Sequence, residues 1–65
     1  MSKRTVYYSK WHHGYLVQLA EIRNEYYVVV GFPRGGIFTQ KYSTKEEAEE
    51  FLRFFIKGLN KFFKK

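Results

Sequence analysis

The fold is decided by residues 42–52, YSTKEEAEEFL, where a β-branched and aromatic segment ends in a strongly marked helix start. Thr44 as the N-cap places Glu47 at the capping-box position, and Ser43 with Glu46 offers the same box one residue earlier. This junction therefore predicts that a strand-rich segment ends here and that a helix follows it.

The predicted helix covers residues 44–63. Its acids crowd the first turns and its lysines follow towards the last turn, as the helix dipole favours. A core-facing stripe recurs at three- and four-residue spacing and consists of Ala48, Phe51, Leu52, Phe55, Leu59 and Phe62. Phe54, Ile56 and Phe63 widen this stripe beyond what one small sheet needs. Gly58 costs about 1 kcal/mol relative to alanine inside a helix.

Four upstream segments have the β-branched and aromatic character of strands. They are Thr5–Trp11, Tyr15–Ile22, Glu25–Phe32 and Ile37–Ser43, separated by turns at 12–14, 23–24 and 33–36. We therefore expect an α+β fold, an antiparallel sheet of three or four strands packed against one C-terminal helix. All 65 residues would form a single small domain.

A two-residue loop at Arg23-Asn24 would pair Leu19 with Val28 and thereby define both faces of the sheet. The face predicted against the helix contains Val17, Leu19, Tyr26, Val28 and Val30, joined by Phe38 and Tyr42. The opposite face contains Leu16, Gln18, Ala20, Ile22, Tyr27, Val29, Ile37, Thr39 and Lys41. That second face is more apolar than a monomer should leave in water, so we expect a homodimer. Its contact would use either the open sheet face or Phe54, Ile56 and Phe63.

The composition limits the possible functions. The chain has no cysteine and no Asp, which excludes disulfides and thiol catalysis. His12 and His13 are adjacent and would point to opposite faces of a strand, so we predict no metal site, no cofactor and no enzymatic activity. The longest uninterrupted apolar run, residues 26–30, is far below the roughly 18–20 residues that cross a bilayer. We expect a cytoplasmic protein that does not bind membranes.

Positive charge points to an anionic partner, because 12 Lys and Arg oppose 6 Glu for a formal net charge of +6. Cations and aromatic residues also interleave along the strands and turns. Phosphate contacts are predicted for Lys10, Arg23, Arg34 and Lys41, and packing on sugars or bases for Trp11 and Tyr27.

The segment YSTKEEA at 42–48, preceded by the YYVVV strand at 26–30, resembles the N-terminal arm-DNA-binding domain of phage-type tyrosine recombinases. Those domains are three-stranded sheets followed by one helix, and they place the sheet in the major groove. The resemblance implies DNA-facing roles for Lys10, Trp11, Tyr27, Thr39 and Lys41. A second similarity, over residues 31–52, is to the hybrid-binding domain of eukaryotic-type ribonucleases H.

Two functions remain open. The first is a small nucleic-acid-binding protein whose favoured ligand is duplex DNA, with structured RNA as another possible ligand. The second is an inhibitor or adaptor of the kind that phages and mobile elements encode, which docks on a protein such as a nucleic-acid enzyme complex. A nucleic-acid binder loses affinity steeply with salt, whereas an inhibitor depends on a few aromatic anchors.

Overall fold

Four antiparallel strands and one helix form the fold of this computed structural model, which describes residues 3–64. The elements are β1 Arg4–His12, β2 Tyr15–Ile22, β3 Glu25–Gly31, β4 Ile37–Tyr42 and α1 Lys45–Phe63. The strands lie in the order β1-β2-β3-β4 and α1 packs on one face, so the predicted α+β architecture is confirmed. The sheet has one strand more than the recombinase arm domains. Residues 1, 2 and 65 of the predicted domain lie outside the described residues.

Two-residue turns join the first three strands. Both central residues have positive φ in His13-Gly14, at 55° and 86°, and in Arg23-Asn24, at 53° and 66°. Such type I′ geometry matches the right-handed twist of the flanking strands. The predicted register of the second hairpin is confirmed, since Leu19 pairs with Val28.

The core lies between the sheet and α1. Its buried side chains are Val17, Leu19, Val28 and Val30 from the strands and Ala48, Leu52 and Leu59 from the helix. Tyr26 and Tyr42 pack against this cluster, and Phe38 rests on Phe51 at 6.2 Å between ring centroids. The predicted inward face of the sheet is therefore correct.

The start of α1 follows the first of the two predicted capping arrangements. The backbone N–H of Glu47 donates to Thr44 Oγ1 at 3.2 Å, so Thr44 is the N-cap. Ser43 Oγ donates to the Glu47 carboxylate at 3.2 Å, which adds a second contact at the same end. Both contacts stabilise the first turn of α1, which begins three residues after β4 ends at Tyr42.

The end of α1 corrects part of the predicted stripe. Phe62 is 80% exposed instead of buried, whereas Phe63 stacks on His13 with 4.9 Å between ring centroids. Ile56 is half-buried and packs against the core. At about 100° per residue Phe62 lies only about 60° round the helix from Leu59, so its exposure does not follow from helix periodicity. The exposure accompanies the position of Phe62 in the last turn of α1. Of the three predicted interface residues of the helix, Phe54 points most fully to solvent.

A bulge interrupts β1 at Tyr7. Val6 pairs with Ala20 and Tyr8 pairs with Leu19, which leaves Tyr7 as the extra residue. As a result two consecutive tyrosines lie on the helix side. Tyr8 packs on the core, and the Tyr7 ring lies 4.2 Å below the Nζ atom of Lys45.

The bulge also reverses the side-chain alternation in the second half of β1. Lys10 pairs with Val17 and lies on the helix side of the sheet, whereas Trp11 pairs with Leu16 and lies on the open face. Adjacent strand residues point to opposite faces in any case, so Lys10 and Trp11 could not both lie on the face expected to contact DNA. The bulge decides that Trp11 is the one on the open face.

Val28 and Val29 provide a matched test of the inward face. Val28 is completely buried against α1, whereas Val29 lies on the uncovered face. Val28→Ala should lower the free energy of unfolding by roughly 2 kcal/mol, because it removes buried methyl groups and leaves a void. Val29→Ala makes the same change in strand propensity but leaves no void in the core, so it should lower the free energy of unfolding clearly less than Val28→Ala. Urea denaturation of both variants measures the difference, and equal losses would contradict the assignment of the faces.

Candidate nucleic-acid interface

Within residues 3–64, the sheet face opposite α1 has no element packed on it. The strand register arranges its side chains in rows that run across the strands. These rows are Trp11–Leu16–Gly31–Ile37, then Ser9–Gln18–Val29–Thr39, then Val6–Ala20–Tyr27–Lys41. One end of the face is thus apolar and its middle row is largely polar.

Hydrogen bonds link the polar residues of this face. Arg4 Nη2 donates to Gln18 Oε1 at 3.0 Å, and Gln18 Nε2 donates to Ser9 Oγ at 3.0 Å. Arg4 is an addition to the predicted site, because the strand prediction began one residue later, at Thr5. Its exposed guanidinium has further N–H donors for an anionic ligand.

Glu25 is the one carboxylate that the register places on this face among the described residues. It accepts a hydrogen bond from Tyr27 Oη at 3.1 Å, and its other oxygen lies 3.4 Å from Lys41 Nζ. Such a surface pair contributes little to stability. It nevertheless compensates the charge of Lys41, which therefore has less to offer to a phosphate.

The apolar row lies at one end of the open face. Trp11 is 68% exposed and Ile37 is 73% exposed, while Leu16 between them is half-buried. Gly31 keeps the row flat, and a Cβ at this position would lie 3.6 Å from the Leu16 side chain. Two large apolar side chains are thus left in solvent beside the β1–β2 turn and the β3–β4 loop.

The two ends of the molecule differ in charge, and they are well separated because the Cα atoms extend over 43 Å. One end has the β2–β3 turn and the start of α1, and it holds all six acids of the sequence: Glu21, Glu25, Glu46, Glu47, Glu49 and Glu50. The other end has the β1–β2 turn, the β3–β4 loop and the end of α1. Its ionised side chains within residues 3–64 are the cations Lys10, Arg34, Lys57, Lys61 and Lys64, which we term the cationic end.

The structure divides the seven predicted nucleic-acid contacts between these regions. Lys10, Trp11 and Arg34 lie at or beside the cationic end; Thr39 lies in the middle row; Tyr27, Lys41 and Arg23 lie towards the acidic end. Lys57, Lys61 and Lys64 were not among the predicted contacts, because the sequence analysis assigned the lysines of the helix to compensation of its dipole. Their grouping with Lys10 and Arg34 depends on α1 running back to the β1–β2 turn.

A groove of about 500 Å³ separates β1 from α1. Tyr7 and Tyr8 line its strand side, and Arg53, Lys57 and Asn60 line its helix side. The two histidines lie beyond it and are each engaged by a side chain: His12 Nε2 by Tyr8 Oη, and His13 Nε2 by Asn60 Oδ1 at 2.9 Å. Residues 3–64 contain no group of three or more His, Cys, Asp or Glu side chains that could hold a metal ion.

Comparison with known proteins adds no assignment: no family model matches the chain, nor does any curated protein or solved structure. In the part of the chain that the structure describes, no helix is both long enough and apolar enough to span a membrane.

Two tyrosines on the helix side of the sheet, Tyr7 and Tyr42, have pKa values above the ordinary tyrosine value. The hydrogen bond from Tyr7 Oη to the Glu21 carboxylate raises the pKa of Tyr7 above its ordinary value. Burial, and to a smaller extent the charge of Glu47, raises the pKa of Tyr42. In both cases the neutral phenol is the form that the fold favours.

Glu21→Gln should lower the pKa of Tyr7 towards the ordinary tyrosine value of about 10, because the negatively charged acceptor is lost. The stabilisation from a raised tyrosine pKa is complete below the unfolded-state pKa and is lost as the pH rises through the folded-state pKa. The variant should therefore lose less stability than the parent chain between neutral and strongly alkaline pH. NMR titration of the tyrosine rings measures the shift, with Tyr42 as the internal control that stays unchanged.

Proposed function

We propose that this protein binds duplex DNA, largely independently of base sequence, through the cationic end and the adjoining part of the open sheet face. The observation that carries the proposal is the separation of charge along the molecule. All six acids lie at one end and five cations gather at the other. Net charge alone would not indicate where an anion binds, whereas this separation selects one surface.

The acidic end and the cationic end are far enough apart for the acids not to repel a ligand bound at the cationic end. The helix of 19 residues is about 28 Å long, and the glutamates occupy its first turns. At physiological ionic strength the Debye length is about 8 Å, so charges at the acidic end are screened from a ligand at the cationic end. The cations there can replace counterions of the phosphate backbone without opposition from carboxylates of the same chain.

The open face supplies groups that suit the rest of a duplex. Trp11 is 68% exposed beside the cationic end and can pack on a sugar or a base. The middle row offers hydroxyl and amide groups of Ser9, Gln18 and Thr39 as donors and acceptors towards base edges. The resemblance to recombinase arm domains supports the same orientation, with the sheet towards the major groove.

The second candidate, an inhibitor or adaptor that docks on a protein, is favoured by the apolar row of the open face. Trp11 and Ile37 would then act as anchors in pockets of the partner, as buried aromatic residues do at protein interfaces. That mode of binding predicts weak salt dependence and a large loss of affinity when Trp11 is truncated. The two functions thus differ in a measurable property of the same surface.

A salt titration of binding to a labelled duplex tests the proposal. If about four phosphates are neutralised, the slope of log K against log salt should be near −3.6. Arg34→Ala and Lys10→Ala should each reduce the magnitude of this slope by about 0.9, because each removes one cation of the binding surface.

Lys41→Ala is the matched control, because it also removes one cation from the sheet side but one that Glu25 already compensates at 3.4 Å. It should change the slope by clearly less than Arg34→Ala does. Absence of binding at low salt would contradict the DNA proposal and favour a protein partner. Equal effects of Lys41→Ala and Arg34→Ala would show that the duplex does not select the cationic end.

A further inference from the structure

Two phenylalanine rings of α1 are exposed to solvent and contribute little to the core. Phe54 and Phe62 are 74% and 80% exposed, and Gly58 lies midway between them. Residues four positions apart form one ridge along a helix surface, so the three residues make a continuous row of ring, gap and ring. Phe54 lies on the outer side of the helix, about 160° round from the buried Leu52, whereas Phe62 lies about 60° from Leu59 and is exposed in the last turn.

Nothing within the described chain requires glycine at position 58. Its φ is not positive, unlike those of Gly14, Gly35 and Gly36, and a Cβ there would meet no heavy atom within 4 Å. Alanine would stabilise the helix by about 1 kcal/mol at this position. A glycine in such a place lets another backbone approach closely.

Beside the row lies a hollow of about 450 Å³, lined by Tyr42, Phe51 and Phe54 and flanked by Glu47 and Glu50. Its chemistry complements the end of the same helix, where an exposed Phe62 ring is followed and preceded by lysines at 64 and 61. One end of α1 thus presents an aromatic ring among cations, and the other presents an apolar hollow among carboxylates.

From this complementarity we propose that a second copy of the chain docks here, with the two α1 helices antiparallel and crossing at Gly58. The antiparallel arrangement places Phe62 of each copy beside Phe54 of the other, with its ring directed to the hollow. It also brings Lys61 and Lys64 towards Glu47 and Glu50 of the second copy. The contact is isologous, because each copy contributes the same surface.

The geometry is that of ridge-into-groove packing between helices. Rows of residues four apart interdigitate, and interaxial distances of about 8–10 Å depend on the side chains at the crossing. Glycine at the crossing has no side chain to separate the helices, so the interaxial distance can lie near about 8 Å. A parallel arrangement would instead place glutamates against glutamates and lysines against lysines, so charge selects the antiparallel orientation. This proposed contact differs from the one predicted from the sequence, since Gly58 and Phe62 take the places of Ile56 and Phe63.

Gly58→Gln is the decisive variant, because it should affect the fold and the dimer in opposite directions. Glutamine forms helices better than glycine and meets no atom in the monomer, so the variant should melt at a higher temperature at concentrations where both proteins are monomeric. The same side chain blocks the close approach, so the dimer dissociation constant should rise roughly tenfold or more. Sedimentation equilibrium from low to high micromolar protein measures the association.

Lys57→Gln is the matched control: it introduces glutamine at the adjacent position, which lies about 100° round the helix and lines the β1–α1 groove instead of the row. It should leave the dimer dissociation constant nearly unchanged. Phe54→Ser should weaken association as Gly58→Gln does. Combined Lys61→Glu and Lys64→Glu should weaken it too, and mixing that chain with one carrying Glu47→Lys and Glu50→Lys should restore it.

Three results would overturn the proposal. The first is a wild-type chain that stays monomeric at high micromolar concentration, with a melting temperature independent of concentration. The second is a dimer that Gly58→Gln and Phe54→Ser leave intact. The third is a dimer that is lost with Trp11→Ser and Ile37→Ser instead, which would place the contact on the open sheet face.

Discussion

A single helix packs on one face of a four-stranded sheet, and this constraint governs the rest of the molecule. Side chains alternate along each strand, so burial of Val17, Leu19, Val28 and Val30 against α1 commits their neighbours to the other face. The chain has no second element to cover those neighbours within the described residues. The open face, with its apolar row and its polar row, is therefore the direct consequence of how the core is formed.

Chain direction then determines where charge collects. The capped start of α1 must be rich in acids and its end rich in lysines if the helix dipole is to be compensated. Because α1 runs from the β2–β3 turn back towards the β1–β2 turn, this local preference adds to the charges of the strands and loops. Arg34 and Lys10, distant in sequence, thereby join the lysines of the helix end. A rule of helix stability thus contributes to a surface that suits polyanions.

Local signals predicted much of the fold. The Thr44 cap, the Arg23-Asn24 turn and the strand alternation each depend on residues close in sequence, and all three are confirmed. The bulge at Tyr7 was not predictable in this way, since it depends on which residues of β2 the strand meets. Its consequence is that Trp11, and not Lys10, lies on the open face of the sheet. The exposure of Phe62 was not predictable either, because its three-residue spacing from Leu59 alone predicts burial.

The bulge in β1 also bears on how an aromatic, strand-rich chain avoids forming fibrils. β1 and β4 are the edges of the sheet, and unpaired backbone groups at an edge can template the addition of further strands. Tyr7 interrupts the regular hydrogen-bonding pattern of one edge and increases its twist. The other edge is short, six residues, and carries Lys41 among polar neighbours. Both edges thus discourage strand-by-strand growth.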